Sequence, residues 1–141
     1  MSILERGGKV ERETIKTPTL AKAYAPYSPG CIVKKVGSLI FISGVVPNDI
    51  DGNIICKGDI EGQTRQILHN LKVTVEAAGA TFNDVIKLTT YVTADAMKDY
   101  LGSNACHEYL TSFPTPCESL IGVACLANEG QMIEVEGIFG L

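Results

Sequence analysis

Between residues 31 and 43 the apolar positions fall into two short β-branched runs, Cys31-Ile-Val-Lys-Lys-Val36 and Leu39-Ile-Phe-Ile-Ser43. Gly37-Ser38 joins them as a two-residue hairpin signal, and Gly44 is read as the end of the second strand. Asn48-Asp-Ile-Asp-Gly52 marks a turn, and residues 53–56 form a candidate short edge strand after it. From residue 59 the period changes. Ile60, Thr64, Ile67, Leu68, Leu71, Val75 and Ala78 recur at 3.6-residue spacing, which predicts a helix over 59–78 with Asp59 as its N-cap and Gly79 as its stop. β character returns over 84–93 through Val85, Ile86, Leu88, Tyr91 and Val92. A second helix is expected from Asp95, taken as its N-cap, through Met97, Leu101, Ala105 and Tyr109, until Phe113-Pro-Thr-Pro116 breaks it. Two last strands, at about 119–126 and 131–139, flank the turn Ala127-Asn-Glu-Gly130.

The resulting order, ββ(β)αβαββ, predicts an α+β domain in which two helices cover one face of a mixed sheet. Val, Ile and Leu occupy both parities of several strands, so the other face also needs cover, which oligomerisation would supply. Residues 1–25 are polar and contain Gly7-Gly8 and Pro18; residues 1–17 are read as an arm ahead of a single domain at 18–141.

Composition narrows the function classes. A 141-residue chain with 45% hydrophobic residues is the size of one globular domain. Its 12 Lys and Arg against 16 Asp and Glu give a net charge of −4 with no basic block, which disfavours bulk nucleic-acid binding because counterion release needs a basic surface. No apolar run approaches the roughly 18 residues of a membrane span, and the first residues are charged without a signal-peptide core. The expected location is cytoplasmic, with a mitochondrial one left open. Five cysteines without CxxC spacing and two histidines, His69 and His107, suggest neither a disulfide framework nor a metal site. No GxSxG, HExxH, Walker or GxGxxG motif is present, so no cofactor is expected.

Few residues are left to carry chemistry. Tyr27, between Pro26 and Pro29, offers a hydroxyl from a stiff loop, although such a tyrosine is commonly just packed. Asn104 lies among apolar positions of the second predicted helix, as a helix-end hydrogen-bonder or a site group. Glu134 and Glu136 share one strand face; a solvated face explains them, whereas burial by an oligomer would raise their pKa values and make one a general acid or base. Glu118 follows Cys117 at a predicted helix-to-strand boundary, where carboxylates are usually exposed. Cys117 itself has no histidine near it in sequence, which favours a quiet thiol over a nucleophile.

The segments Gln63-Thr-Arg-Gln66, Asn70, Val75-Glu-Ala-Ala-Gly79, Asp84-Val-Ile-Lys87 and Tyr91-Val92 together resemble the RidA/YjgF family of reactive-intermediate deaminases. The likeness extends to Ala25-Pro26-Tyr27-Ser28, Phe41-Ile-Ser-Gly44, Asn104, Pro116-Cys-Glu-Ser119, Gly122-Val-Ala-Cys-Leu126 and Met132-Ile-Glu-Val-Glu136, and so covers about residues 18–140. It implies a chorismate-mutase-like α+β fold assembled as a homotrimer, with the sheets lining a barrel and three clefts between subunits. It further implies a small-molecule substrate, an imine or enamine attacked by water with loss of ammonia. By position, Tyr27 would hydrogen-bond substrate or water, Gly44 would offer its N–H, Asn104 would shape the cleft from a neighbouring subunit, and Glu134 would position or activate water, with Ser43 and Cys117 as further candidate substrate-binding residues.

One position departs from the resemblance. The family's arginine, whose fork grips the substrate carboxylate, is replaced by Glu118. An anionic substrate docked in that way would lose a charge-assisted pair worth about 1.5–3 kcal/mol and meet a repelling carboxylate. The leading expectation is a retooled cofactor-independent deaminase, hydrolase or lyase-like enzyme. In it, Glu118 and Glu134 form a carboxylate pair doing acid–base work on an imine, enamine or unsaturated metabolite. The alternative is a non-catalytic ligand-binding or chaperone-like trimer. RNA cleavage, ascribed to some relatives, conflicts with the acidic balance.

Overall fold

The computed structural model describes residue 11, residues 13–15 and residues 33–141. Tyr27 and the Cys31 start of the first predicted strand lie outside these described residues. Among them the elements are β1 (Glu13–Ile15), β2 (Val33–Val36), β3 (Leu39–Val45), α1 (Ile60–Ala77), a 3₁₀ turn (Phe82–Asp84), β4 (Val85–Thr93), α2 (Met97–Leu101), α3 (Asn104–Thr111), β5 (Cys117–Val123) and β6 (Ile133–Gly140). The strands form one six-stranded sheet in the order β1-β2-β3-β6-β4-β5. Only β4 and β5 run parallel, joined through α2 and α3, so the sheet is mixed and the domain α+β as expected. Three residues of the predicted arm form β1, which pairs antiparallel with β2.

Local chemistry accounts for the boundaries. Gly37, at φ +60°, makes the hairpin between β2 and β3 that its left-handed backbone requires. Asp59 caps α1 by accepting from the Gly62 N–H at 3.0 Å. At the other end the Gly79 N–H donates to Glu76 O and the Ala80 N–H to Val75 O, the paired bonds of a Schellman stop, with Gly79 at φ +84°. The second predicted helix is in fact two. Asp95 does not cap it; α2 begins after Ala96 without a side-chain cap and stops at Gly102. Ser103 then starts α3 afresh, its Oγ accepting from the Cys106 N–H at 3.0 Å. A glycine followed by a serine whose Oγ donates to Tyr100 O and accepts from the Cys106 N–H outweighs the continuous apolar period. Gly44 does not end β3. The strand continues to Val45 through a register shift against β6 between Ile42 and Val45. The candidate edge strand at 53–56 reduces to a single bridge, Asn48 to Ile54. The last strand starts at Ile133, because the Gln131 N–H closes a turn onto Asn128 O.

The three helices pack on one face of the sheet. Ile40, Ile42 and Val45 of β3, Leu88 and Val92 of β4 and Ile133, Val135 and Phe139 of β6 meet Ile67, Leu71, Val75, Tyr100 and Tyr109 there. Each fully buried aliphatic contributes about 1.5–3 kcal/mol. The opposite face keeps Leu39 and Phe41 37–39% exposed and Ile121 40% exposed. α1 also buries Gln63, Asn70 and Thr74, polar residues whose partners lie on neighbouring loops or one turn back. No helix among the described residues is long and apolar enough to cross a membrane.

Candidate active site

The sheet builds a niche around Glu134. Its register partner on β4 is Tyr91, which puts its side chain on the face away from the helices, together with Glu136. Across the β3 bulge lies Gly44, where a Cβ would land on the Glu134 carboxylate; the glycine leaves the space the carboxylate fills. Gln131 Nε2 donates to Glu134 Oε2 at 3.0 Å. Burial pushes the Glu134 pKa up, opposed by the Gln131 bond and reinforced by the negative charge of Glu136. Beside it the Tyr91 hydroxyl donates to Glu136 Oε1 at 2.8 Å, which together with burial raises the tyrosine's own pKa. A carboxylate that is half-buried, oriented by an amide and more basic than usual is suited to taking a proton from water.

Glu118 lies elsewhere. It is on β5 at the sheet edge, in register with Leu88, whose side chain points to the helices. Its Oε1 accepts from Thr90 Oγ1 at 3.2 Å, and Thr90 Oγ1 is 3.0 Å from the hydroxyl of Tyr109, a fully buried residue of α3. A hydroxyl has one proton, so when Thr90 donates to the carboxylate Tyr109 donates to Thr90. The residue as a whole is exposed, yet its carboxyl is sheltered enough for burial to raise the pKa, with the Thr90 bond opposing. Burial likewise holds the Tyr109 phenol protonated.

Within one chain the expected Glu118–Glu134 pair is therefore not made. β4 separates the two strands, and the side chains leave opposite faces of the sheet. Gly44 does adjoin Glu134, on the bulged part of β3 that also carries Ser43. Cys117 opens β5 as an exposed thiol in register with Lys87, one residue from Glu118. Asn104 is exposed at the start of α3, where its backbone N–H donates to Glu61 Oε1 at 3.1 Å. Tyr27 lies outside the described residues. Among those residues no group of three or more His, Cys, Asp or Glu could hold a metal ion.

Sequence reasoning missed Gln131, Asn128, Thr90 and Tyr109. Gln131 reads as the first residue of a strand and Asn128 as an ordinary turn residue, so neither stands out. Thr90 and Tyr109 lie 19 residues apart on different elements, and only the packing of α3 over β4 joins them.

Comparison with known proteins gives a consistent set of relatives. The family model described as Endoribonuclease L-PSP matches residues 17–139. A RutC family protein of Pyrococcus horikoshii is 37% identical over 127 residues, which are 90% of this chain and 96% of that protein. The 2-iminobutanoate/2-iminopropanoate deaminase of Salmonella typhimurium is 33% identical over 129 residues, 89% of this chain and 95% of the relative. Among solved structures, the YjgF gene product of E. coli aligns with a TM-score of 0.74 and 31% identity over 91% of this chain and 98% of its own. E. coli TdcF with bound serine aligns with a TM-score of 0.74 and 27% identity over 92% and 98%.

Proposed function

The chain belongs to the RidA/YjgF family, and from that premise we propose that it is a cofactor-independent hydrolase of small imines or enamines, with Glu134 as the water-activating base. The observation that carries the reading is the Glu134 niche: a raised-pKa carboxylate held by Gln131 in a space that only the Gly44 bulge leaves open. Glu134 takes a proton from water as the oxygen attacks the imine carbon. The same proton then goes to the substrate nitrogen to give a carbinolamine; Glu134 next carries the carbinolamine's hydroxyl proton to that nitrogen as the C–N bond breaks, leaving a carbonyl compound and ammonia. The deaminase name of the Salmonella typhimurium relative and the serine bound to E. coli TdcF favour a small, amino-acid-like substrate.

Glu118 changes which member of that class is accepted. Its carboxylate repels a substrate carboxylate and suits a neutral or cationic group. Because one chain leaves Glu118 and Glu134 on opposite faces, a cleft lined by both requires Glu118 of one subunit to meet Glu134 of another in a homotrimer. The exposed apolar residues Leu39, Phe41 and Ile121, and an edge strand β5 exposed over most of its length, are surfaces such an assembly would cover. Tyr27, Ser43, Asn104 and Cys117 complete this proposed cleft.

Turnover of a panel of imines, enamines and unsaturated lactones, compared between the natural protein, Glu118→Gln and Glu134→Gln, tests the reading. A loss in Glu134→Gln of 100-fold or more on at least one substrate is expected. Equal rates in all three proteins would remove both assigned roles. Suppression of protein aggregation that persists in both variants, with no turnover in any, would favour the non-catalytic alternative.

A further inference from the structure

The loop between β5 and β6 delivers a directional amide onto Glu134. Asn128 Nδ2 donates to Gln131 Oε1 at 2.8 Å, while Gln131 Nε2 donates to Glu134 Oε2 at 3.0 Å and to Ile133 O at 3.3 Å. A peptide carbonyl only accepts, so the end of Gln131 facing Ile133 O and Glu134 is its NH₂ group. Its other end is the oxygen, and Asn128 holds it. The backbone on either side is clamped as well. Gln63 of α1, fully buried, donates through Nε2 to Gly130 O at 2.7 Å and accepts at Oε1 from the Met132 N–H at 2.8 Å. Gln131, 4% exposed, thus sits between two fixed peptide units with its side chain fixed at the far end.

We infer that Asn128 and Gln131 are positioning residues that present a hydrogen-bond donor to Glu134 and so keep it an acceptor, a base that takes a proton from water rather than an acid that first gives one. This deepens the proposed hydrolytic role of Glu134 and rests on it only for its catalytic meaning. The balance at Glu134 is between desolvation, which favours the neutral acid, and the Gln131 donor, which favours the anion. The other titratable groups placed about the niche are Glu136 on the same strand, Tyr91 on β4, which is bonded to Glu136, and Lys57, whose stem runs along Gly130. β3 brings the side-chain-free Gly44. Reversing the Gln131 amide would set an oxygen against the carboxylate and reverse the preference.

The test is a carboxyl titration that needs no substrate. Full-length protein labelled with ¹³C-glutamate is followed by NMR against pH, and Glu134→Gln identifies the Glu134 resonance. Gln131→Leu removes the donor and is expected to move the Glu134 midpoint up by about one pH unit, the equivalent of one charge-assisted hydrogen bond. Asn128→Ala, in a half-exposed loop residue that can be changed without disturbing the core, frees the amide to turn and is expected to move the midpoint in the same direction by less. A midpoint unchanged or lowered in both variants would overturn the relay. Since no turnover is measured, upward shifts in a protein inactive on every imine would support the relay and count against the hydrolase reading alone.

Discussion

Gly44→Ala perturbs the niche at the point where sequence and geometry are most tightly tied. The three atoms nearest the added Cβ all belong to Glu134: Oε1, overlapped outright, Cδ at 2.7 Å and Cγ at 3.1 Å. The side chain must swing away, which breaks its bond to Gln131. A hydrogen bond to a charged group is worth about 1.5–3 kcal/mol, but the displaced carboxylate regains water, so the net destabilisation should be near 1 kcal/mol. Activity should fall much further, by about 100-fold, because a base displaced by an ångström no longer lines up water with the imine carbon. The assay pairs turnover with urea unfolding at fixed protomer concentration, in natural and Glu134→Ala backgrounds. Without Glu134 the alanine methyl loses the three contacts that make it harmful, so there Gly44→Ala should cost less than about 0.5 kcal/mol. Equal destabilisation in both backgrounds, or an unimpaired Gly44→Ala enzyme, would refute the reasoning.

Glu134 and Glu118 both have folded-state pKa values raised by burial, so the folded protein binds more protons than the unfolded chain between the ordinary glutamate value and the raised one. Their contribution to stability is therefore greatest in acid and falls as pH rises through that window; urea unfolding against pH should show Glu134→Gln losing less stability than the natural protein over the same rise. Glu118→Arg should increase kcat/KM for an anionic imino acid by about 10- to 100-fold, the worth of one charge-assisted pair, and lower it for a cationic substrate. Gln63→Leu strands Gly130 O, Ile55 O and the Met132 N–H, and should cost about 3 kcal/mol in urea unfolding. Light scattering after size exclusion should give three copies of the 15.1-kDa chain, and a monomer at micromolar concentration would contradict a cleft between subunits.

How much of this was legible in the sequence depended on whether a feature was local. α1 was read with its cap and stop because Asp59, the apolar period and Gly79 act within a few residues of where they stand. The hairpin at Gly37 was legible for the same reason. The break within the second helix was missed because Gly102 and Ser103 interrupt it while Leu101, Ala105 and Tyr109 keep the period. Gly44 reads as a strand end because a glycine's sequence neighbours do not reveal that Glu134, on a distant strand, needs the space. Glu134 and Glu136 were correctly placed on one face, but strand parity carried no information about the amide that bonds Glu134. The separation of Glu118 from Glu134 depends on strand order, since β5 lies beyond β4 and the pleat sends the two side chains opposite ways.

That separation bears on how the charge reversal proposed at position 118 would be compatible with the same fold. The side chain at 118 projects from the edge strand and meets Thr90, a hydroxyl that donates to a carboxylate and equally accepts from a guanidinium. Tyr109 behind it can turn in the same way, so Thr90 can meet either charge at the outer end, but a guanidinium there takes away the carboxylate that accepts the chain's last proton and leaves one hydroxyl of the Thr90–Tyr109 pair without the acceptor that Glu118 supplies. Within one chain the Glu134 niche is built without that residue, because Gln131, Asn128 and Gly44 reach it from β3 and the β5–β6 loop. The fold thus places Glu118, the residue proposed to sort substrates, on an outer strand and Glu134, the proposed base, on an inner one, with β4 between them. Within one chain the Glu134 carboxylate keeps its geometry whichever charge stands at 118, so any coupling between Glu118→Arg and Gly44→Ala in turnover has to pass between subunits, and a double-mutant cycle measures it.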